Sequence, residues 1–244
     1  MKEEMHQAMG YDRAITLFSP DGRLLQVEYA KKTVRQGSTA LGIVTKEGVV
    51  FLADKRIVDK LVVPESVEKI FEIDSHIAAT ASGILSDARV LINEARLKAQ
   101  QHHITFDSPI DVLSIVKRVS DIKQIYTQSG GLRPFGVSLL IGGIDDGKPV
   151  LFETDPTGIY FEYRASVIGE GEPIIEDFLH KNYKQGMTLA QGFKLGIKAL
   201  SKMLDKSEFD INRIDGAYIE IKDAKFKKFT RDQIKQGMDE VMKK

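Results

Sequence analysis

Strand patterns in this chain come in hairpin blocks, and helical patterns come in adjacent pairs between those blocks; this order constrains the fold more than any other feature. Residues 39–45 and 49–54 are β-rich runs separated by Lys46, Glu47 and Gly48 in the manner of a hairpin. A second strand pair is predicted over 69–73 and 76–82. Two amphipathic helices follow, the first with Ala88, Leu91, Ile92, Ala95 and Ala99 on one face, the second with Val112, Ile115, Val116, Val119 and Ile122. Ser108 is placed to cap the second helix, with Pro109 in its first turn, and the glycine-rich stretch 129–134 ends it. The runs 137–144, 150–154 and 159–164 then read as a meander divided by Asp145-Asp146-Gly147 and Asp155-Pro156-Thr157-Gly158. Helices return at 173–183 and 188–204, strands at 217–221 and 225–229, and a charged C-terminal helix is capped by Thr230. A doubly wound parallel sheet would alternate helix and strand singly. Paired helices between hairpins predict an α+β fold instead, with two antiparallel sheets face to face and helices on each outer side.

Upstream of these blocks lies a polar head, a turn at Ser19-Pro20-Asp21-Gly22, and a first helix over 23–35 built on Leu24, Val27, Ala30 and Val34, which Gly37 breaks. At 244 residues, with 42% hydrophobic and 29% charged positions, the chain suits one large domain over 1–244. Lys+Arg and Asp+Glu both total 35, so no net field draws it to nucleic acid or to an anionic membrane. The absence of cysteine excludes disulfides, thiolate metal sites and a thiol nucleophile. Residues 1–10 are too polar for a signal peptide, and no later apolar run reaches the length of a membrane span. A cytoplasmic location is expected.

Three constellations bear on chemistry. The histidines are isolated, apart from the neighbours His102 and His103, which point in different directions on a helix, so no metal site is predicted. Gly169-Glu170-Gly171 resembles half a phosphate loop, but Glu170 and Glu172 put negative charge where a phosphate would approach, and it reads as a strand-to-helix turn. Ser38-Thr39 at a strand start, Asp54 at the end of the partner strand, and Lys69 have the spacing of an N-terminal nucleophile hydrolase. Such an enzyme needs its Ser or Thr as first residue, so that an amine can help take the hydroxyl proton. Here Ser38 follows a whole helix and its nitrogen is a peptide amide. A self-processing amidohydrolase using Ser38 or Thr39 is the competing expectation, and it requires loss of that helix.

The run from Tyr11-Asp12-Arg13-Ala14-Ile15-Thr16 through Phe18-Ser19-Pro20-Asp21-Gly22-Arg23 to Gln26-Val27-Glu28-Tyr29-Ala30 closely resembles the N-terminal signature of proteasome α subunits. Gly37-Ser38-Thr39-Ala40-Leu41-Gly42, Ser82-Gly83, Asp87-Ala88-Arg89 and Gly130-Gly131-Leu132-Arg133-Pro134-Phe135-Gly136 also fall where that family has them. The resemblance is to the archaeal type and covers nearly the whole chain. It implies a four-layer αββα sandwich of the N-terminal nucleophile hydrolase fold, with no catalytic residue of its own, no cofactor and no metal. It implies a homo-heptameric ring capping catalytic β subunits, with helix 23–35 in the ring interface. By the same resemblance 1–12 is a mobile gate segment, held open through Tyr11, Asp12, Arg13, Pro20 and Tyr29. Glu28, Lys69, Gly83 and Ile84 match a pocket for the C-terminal tails of an AAA+ regulatory ATPase, which end in hydrophobic-tyrosine-any. Gly130, Gly131 and Arg133 match a loop that narrows the path of unfolded substrates. Ser129 departs from relatives with an aromatic residue there. Ser38, Asp54 and Lys69 are then vestigial triad positions.

Overall fold

Ten strands form two antiparallel five-stranded sheets in the computed structural model, which describes residues 16–57, 59, 61–204 and 209–242. In chain order they are β1 (Ala40–Val44), β2 (Gly48–Asp54), β3 (Ile70–Asp74), β4 (Ile77–Gly83), β5 (Val137–Asp145), β6 (Lys148–Thr154), β7 (Tyr160–Glu162), β8 (Ala165–Ile168), β9 (Ile214–Glu220) and β10 (Phe226–Lys228). One sheet runs β10-β9-β2-β1-β8, the other β3-β4-β5-β6-β7. Among the described residues the helices are α1 (Leu25–Gln36), α2 (Leu85–Phe106), α3 (Val112–Gln128), α4 (Glu172–Asn182), α5 (Leu189–Met203) and α6 (Arg231–Met242). None is long and apolar enough to cross a membrane.

Three apolar layers stack these elements. Phe51, Leu140, Leu151 and Ile168 fill the space between the sheets. Leu91, Ile92, Ile115 and Val119 of α2 and α3 pack on Ile77, Leu139 and Ile141 of the second sheet. Ile175, Phe193, Ile197 and Met238 of α4, α5 and α6 pack on Leu41, Ile43 and Leu52 of the first. The result is the four-layer αββα sandwich. Every residue of β2 is buried because both faces of its sheet are covered, which explains its apolar run from Gly48 to Ala53 in place of alternation. The remaining helix, α1, buries Leu25, Val27, Ala30 and Val34 and packs across β4 and β5.

Three expectations need correction. Ser108 and Pro109 do not start α3: Asp107 turns left-handed to end α2, and Asp111 caps α3 by accepting from the Ser114 amide at 2.8 Å. The Val112 amide donates to Asp145, so two carboxylates take the free amides that Ser108 would otherwise have met. The buried stripe of α3 continues from Val119 to Lys123, with Ile122 only partly buried beside it. Finally, the strand expected over 159–164 stops at Glu162, and the chain crosses to the other sheet as β8, where the Val44 amide already donates to Arg164. No turn residue marks that crossing. By contrast, Thr230 caps α6 as expected, and Gln233 completes a capping box with it.

Candidate functional site

Antiparallel pairing brings Ser38, Asp54 and Lys69 to one end of the sandwich. The Asp54 amide donates to Thr39 at 2.8 Å, which fixes the end of β2 beside the start of β1. Lys69 precedes β3, and its ammonium crosses to donate to the carbonyls of Ala81 at 2.8 Å and Ser38 at 3.4 Å. It is not the surface charge that its residue type suggests: it is 1% exposed. Burial is the main influence on it, with Asp54 opposing and Arg56 assisting, and together they bring its pKa down to about 8. The Asp54 carboxylate is fully buried and paired with Arg213, at 2.6 and 2.9 Å from two guanidinium nitrogens.

This arrangement lacks what nucleophilic catalysis requires. The contact between Lys69 and Ser38 is to the backbone carbonyl, and the Ser38 nitrogen is in peptide linkage to Gly37, whose own carbonyl accepts from Glu170 at 3.0 Å. The Thr39 hydroxyl accepts from the Gly171 amide and faces the Met203 sulfur, both at 2.9 Å. Gly171 therefore has no amide to offer a phosphate, and Glu170 pairs with Arg56 at 2.7 Å. Gly169-Glu170-Gly171 is the strand-to-helix turn that its charges suggested. Lys69 acts as a cross-brace, tying the start of β1 to β4.

The end of α1 meets this site through an unusually close backbone approach. A Cβ on Gly37 would lie 2.3 Å from the Gly83 nitrogen, and one on Gly83, whose φ is +111°, would lie 2.1 Å from the Gly136 carbonyl. Only glycine permits that contact. The Ser82 hydroxyl adds a hydrogen bond to the Val34 carbonyl at 3.2 Å. Ile84, next along, donates its amide to Gly136 at 2.9 Å.

The other expected positions lie around this end. Pro20 is exposed in the turn before α1. Glu28 and Tyr29 are half-buried on α1, with the Lys32 ammonium 5.7 Å from the Tyr29 ring centre. Tyr11, Asp12 and Arg13 lie outside the described residues. Gly130 and Gly131 are exposed after α3, and Arg133 forks both guanidinium nitrogens onto Asp87 at 2.7 Å. Burial alone would raise the Asp87 pKa, but the Arg133 fork and the Gly136 amide hold it below its ordinary value. Two residues escaped the sequence reading. Arg213, partner of Asp54, has no local signal, whereas Lys123 stands four residues beyond Val119 on an apolar stripe. Its ammonium is wholly buried against the Thr154 carbonyl at 3.0 Å.

Among the described residues, a four-layer sandwich in which Ser38 is peptide-linked behind a helix packed on β4 and β5 defines the class of this chain. Residues 34–219 match the proteasome subunit family, and residues 11–32 match the N-terminal signature of proteasome A-type subunits, so the chain belongs to the proteasome subunit family and to its α type. It is 50% identical to the proteasome alpha subunit of Pyrococcus horikoshii over 96% of this chain and 89% of that protein. Against the proteasome alpha subunit of Methanocaldococcus jannaschii the identity is 50% over 98% and 90%. For that of Methanosarcina acetivorans it is 46% over 98% and 97%.

Proposed function

We propose that this chain is a non-catalytic outer-ring subunit of a 20S proteasome core, gating the passage of unfolded proteins to threonine-type endopeptidase sites on β subunits. Seven copies close into a homo-heptameric ring in the cytoplasm. Residues 1–12 obstruct its pore, and Tyr11, Asp12, Arg13, Pro20 and Tyr29 hold the open arrangement. C-terminal tails of an AAA+ ATPase, ending in hydrophobic-tyrosine-any, enter between neighbouring copies and present a carboxylate to Lys69, beside Glu28, Gly83 and Ile84. Lys69 has three N–H donors and meets two carbonyls, and because it is 1% exposed the tail must open a path to reach the third. Because Arg133 is committed to Asp87, contact with a passing chain falls to the backbone of Gly130 and Gly131.

The observation that carries this reading is the peptide-bonded Ser38 behind a packed α1, since a chain so closed can shape a passage but cannot cut what passes through it. Deleting the residues before Tyr11 is the test. In the core reconstituted with β subunits, peptide hydrolysis without an ATPase is expected to rise severalfold; an unchanged rate would count against the gate.

A further inference from the structure

The chain leaving β2 is turned by Asp54. Its carboxylate, already forked by Arg213, accepts the Arg56 amide at 2.9 Å, and Arg56 is left-handed there with φ +47°. The Arg56 guanidinium joins two other elements. One nitrogen donates to the Gln36 carbonyl at 3.0 Å, which places a cation at the C-terminal end of α1, where the helix dipole favours it. Another donates to Glu170 at 2.7 Å. Glu170 is itself fixed through its backbone, since its amide donates to the Gly37 carbonyl beside the glycine approach.

This pair differs from the other arginine–carboxylate contacts around the site. Arg133 and Arg213 each fork two nitrogens onto a buried carboxylate, Asp87 and Asp54. Arg56 holds Glu170 by one nitrogen, and the two side chains are 43% and 32% exposed. An exposed, single-pronged pair contributes little to stability and exchanges at little cost. Arg56 is also coupled to Lys69: it and Asp54 are the charges that act on that ammonium, and of the two only Arg56 reaches solvent. A carboxylate that arrives at Lys69 therefore comes within range of Arg56 as well.

We propose that Glu170 is a built-in stand-in for the docking tail: its carboxylate occupies Arg56 in the free chain, and the terminal carboxylate of a bound tail displaces it and lies between Arg56 and Lys69. This rests on the tail reading above and adds to it a second cation and an internal competitor. The exchange swaps like for like, because a main-chain terminal carboxylate and a glutamate carboxylate are equivalent acceptors for a guanidinium. Arg56 keeps its place throughout, since the Asp54 and Gln36 contacts do not involve Glu170. The competitor also filters ligands. A peptide whose end carries no charge cannot displace Glu170, so the site selects chain ends over internal segments of similar sequence.

The test titrates stimulation of peptide hydrolysis in the core reconstituted with β subunits. The probe is a synthetic peptide ending in Leu-Tyr-Ala, with either a free carboxylate or an amide at its end. In the wild type, amidation is expected to raise the half-maximal concentration about tenfold or more, the scale of a lost charge-assisted contact. Arg56→Gln should weaken the free-acid peptide and shrink that amidation penalty, since one of the two cations is gone. Glu170→Gln should lower the half-maximal concentration of the free-acid peptide severalfold and leave that of the amide unchanged. An amidation penalty equal in wild type and Arg56→Gln would overturn the exchange while tail docking stands. So would a Glu170→Gln core that responds like wild type, and this variant decides alone where Arg56→Gln fails to assemble. A wild-type core that the free-acid peptide does not stimulate, or that does not distinguish it from the amide, would overturn both readings.

Discussion

Lys123 places its ammonium where no solvent reaches, with the Thr154 carbonyl as its hydrogen-bond acceptor. Burial lowers its pKa from 10.5 to about 7, against the pull of Asp155 and Glu153. Between these two values the unfolded chain binds more protons than the folded one, so this residue makes stability rise with pH from about 7 to 10.5. Lys123→Met keeps the volume and removes the charge. It is expected to raise neutral-pH stability by an amount on the order of 1 kcal/mol or more and to flatten the alkaline rise. Chemical denaturation at several pH values reads both effects. The same residue shows how far side-chain roles were legible. A lysine four residues after Val119 is visible on the stripe, yet a helical period alone cannot say whether such a side chain is buried or reaches out to water. Lys69 was singled out by spacing and by resemblance, and only the structure shows it enclosed. Arg213, more than 150 residues from Asp54 in sequence, left no trace at all.

Among the elements, the loop after α3 is held by a single carboxylate. Asp87, in the first turn of α2, receives both arms of Arg133 and the Gly136 amide. Asp87→Ala strands that amide and frees the guanidinium, with an expected loss of about 1–3 kcal/mol in a urea titration. Arg133→Lys should lose part of this, since an ammonium cannot reproduce the two-pronged contact. The hairpins and amphipathic helices were legible because period and turn residues agree along 39–54 and the helical period is clear within 85–106 and 112–128. The crossing from β7 to β8 was not, because the strand predicted over 159–164 runs past it with no turn residue and tertiary pairing alone divides the two strands. The start of α3 misled for a related reason: Ser108 and Asp111 both have capping side chains, and the Asp145 carboxylate that fixes the choice comes from another element.

At the scale of the molecule, the layers followed from element order alone, since paired helices between hairpins can cover two stacked sheets and little else. The tail docking proposed above belongs to this scale. Lys69→Met, which preserves volume, is expected to leave assembly intact and abolish stimulation of peptide hydrolysis by ATPase tail peptides; full stimulation would remove Lys69 from the mechanism. The glycine approach between α1, β4 and β5 carries a mechanical consequence. Backbones that close on one another within the reach of a single methyl group leave no room for sliding or rotation. The C-terminal end of α1 is therefore a weld and not a hinge. The sandwich behind it is a fixed mount for that end of the helix.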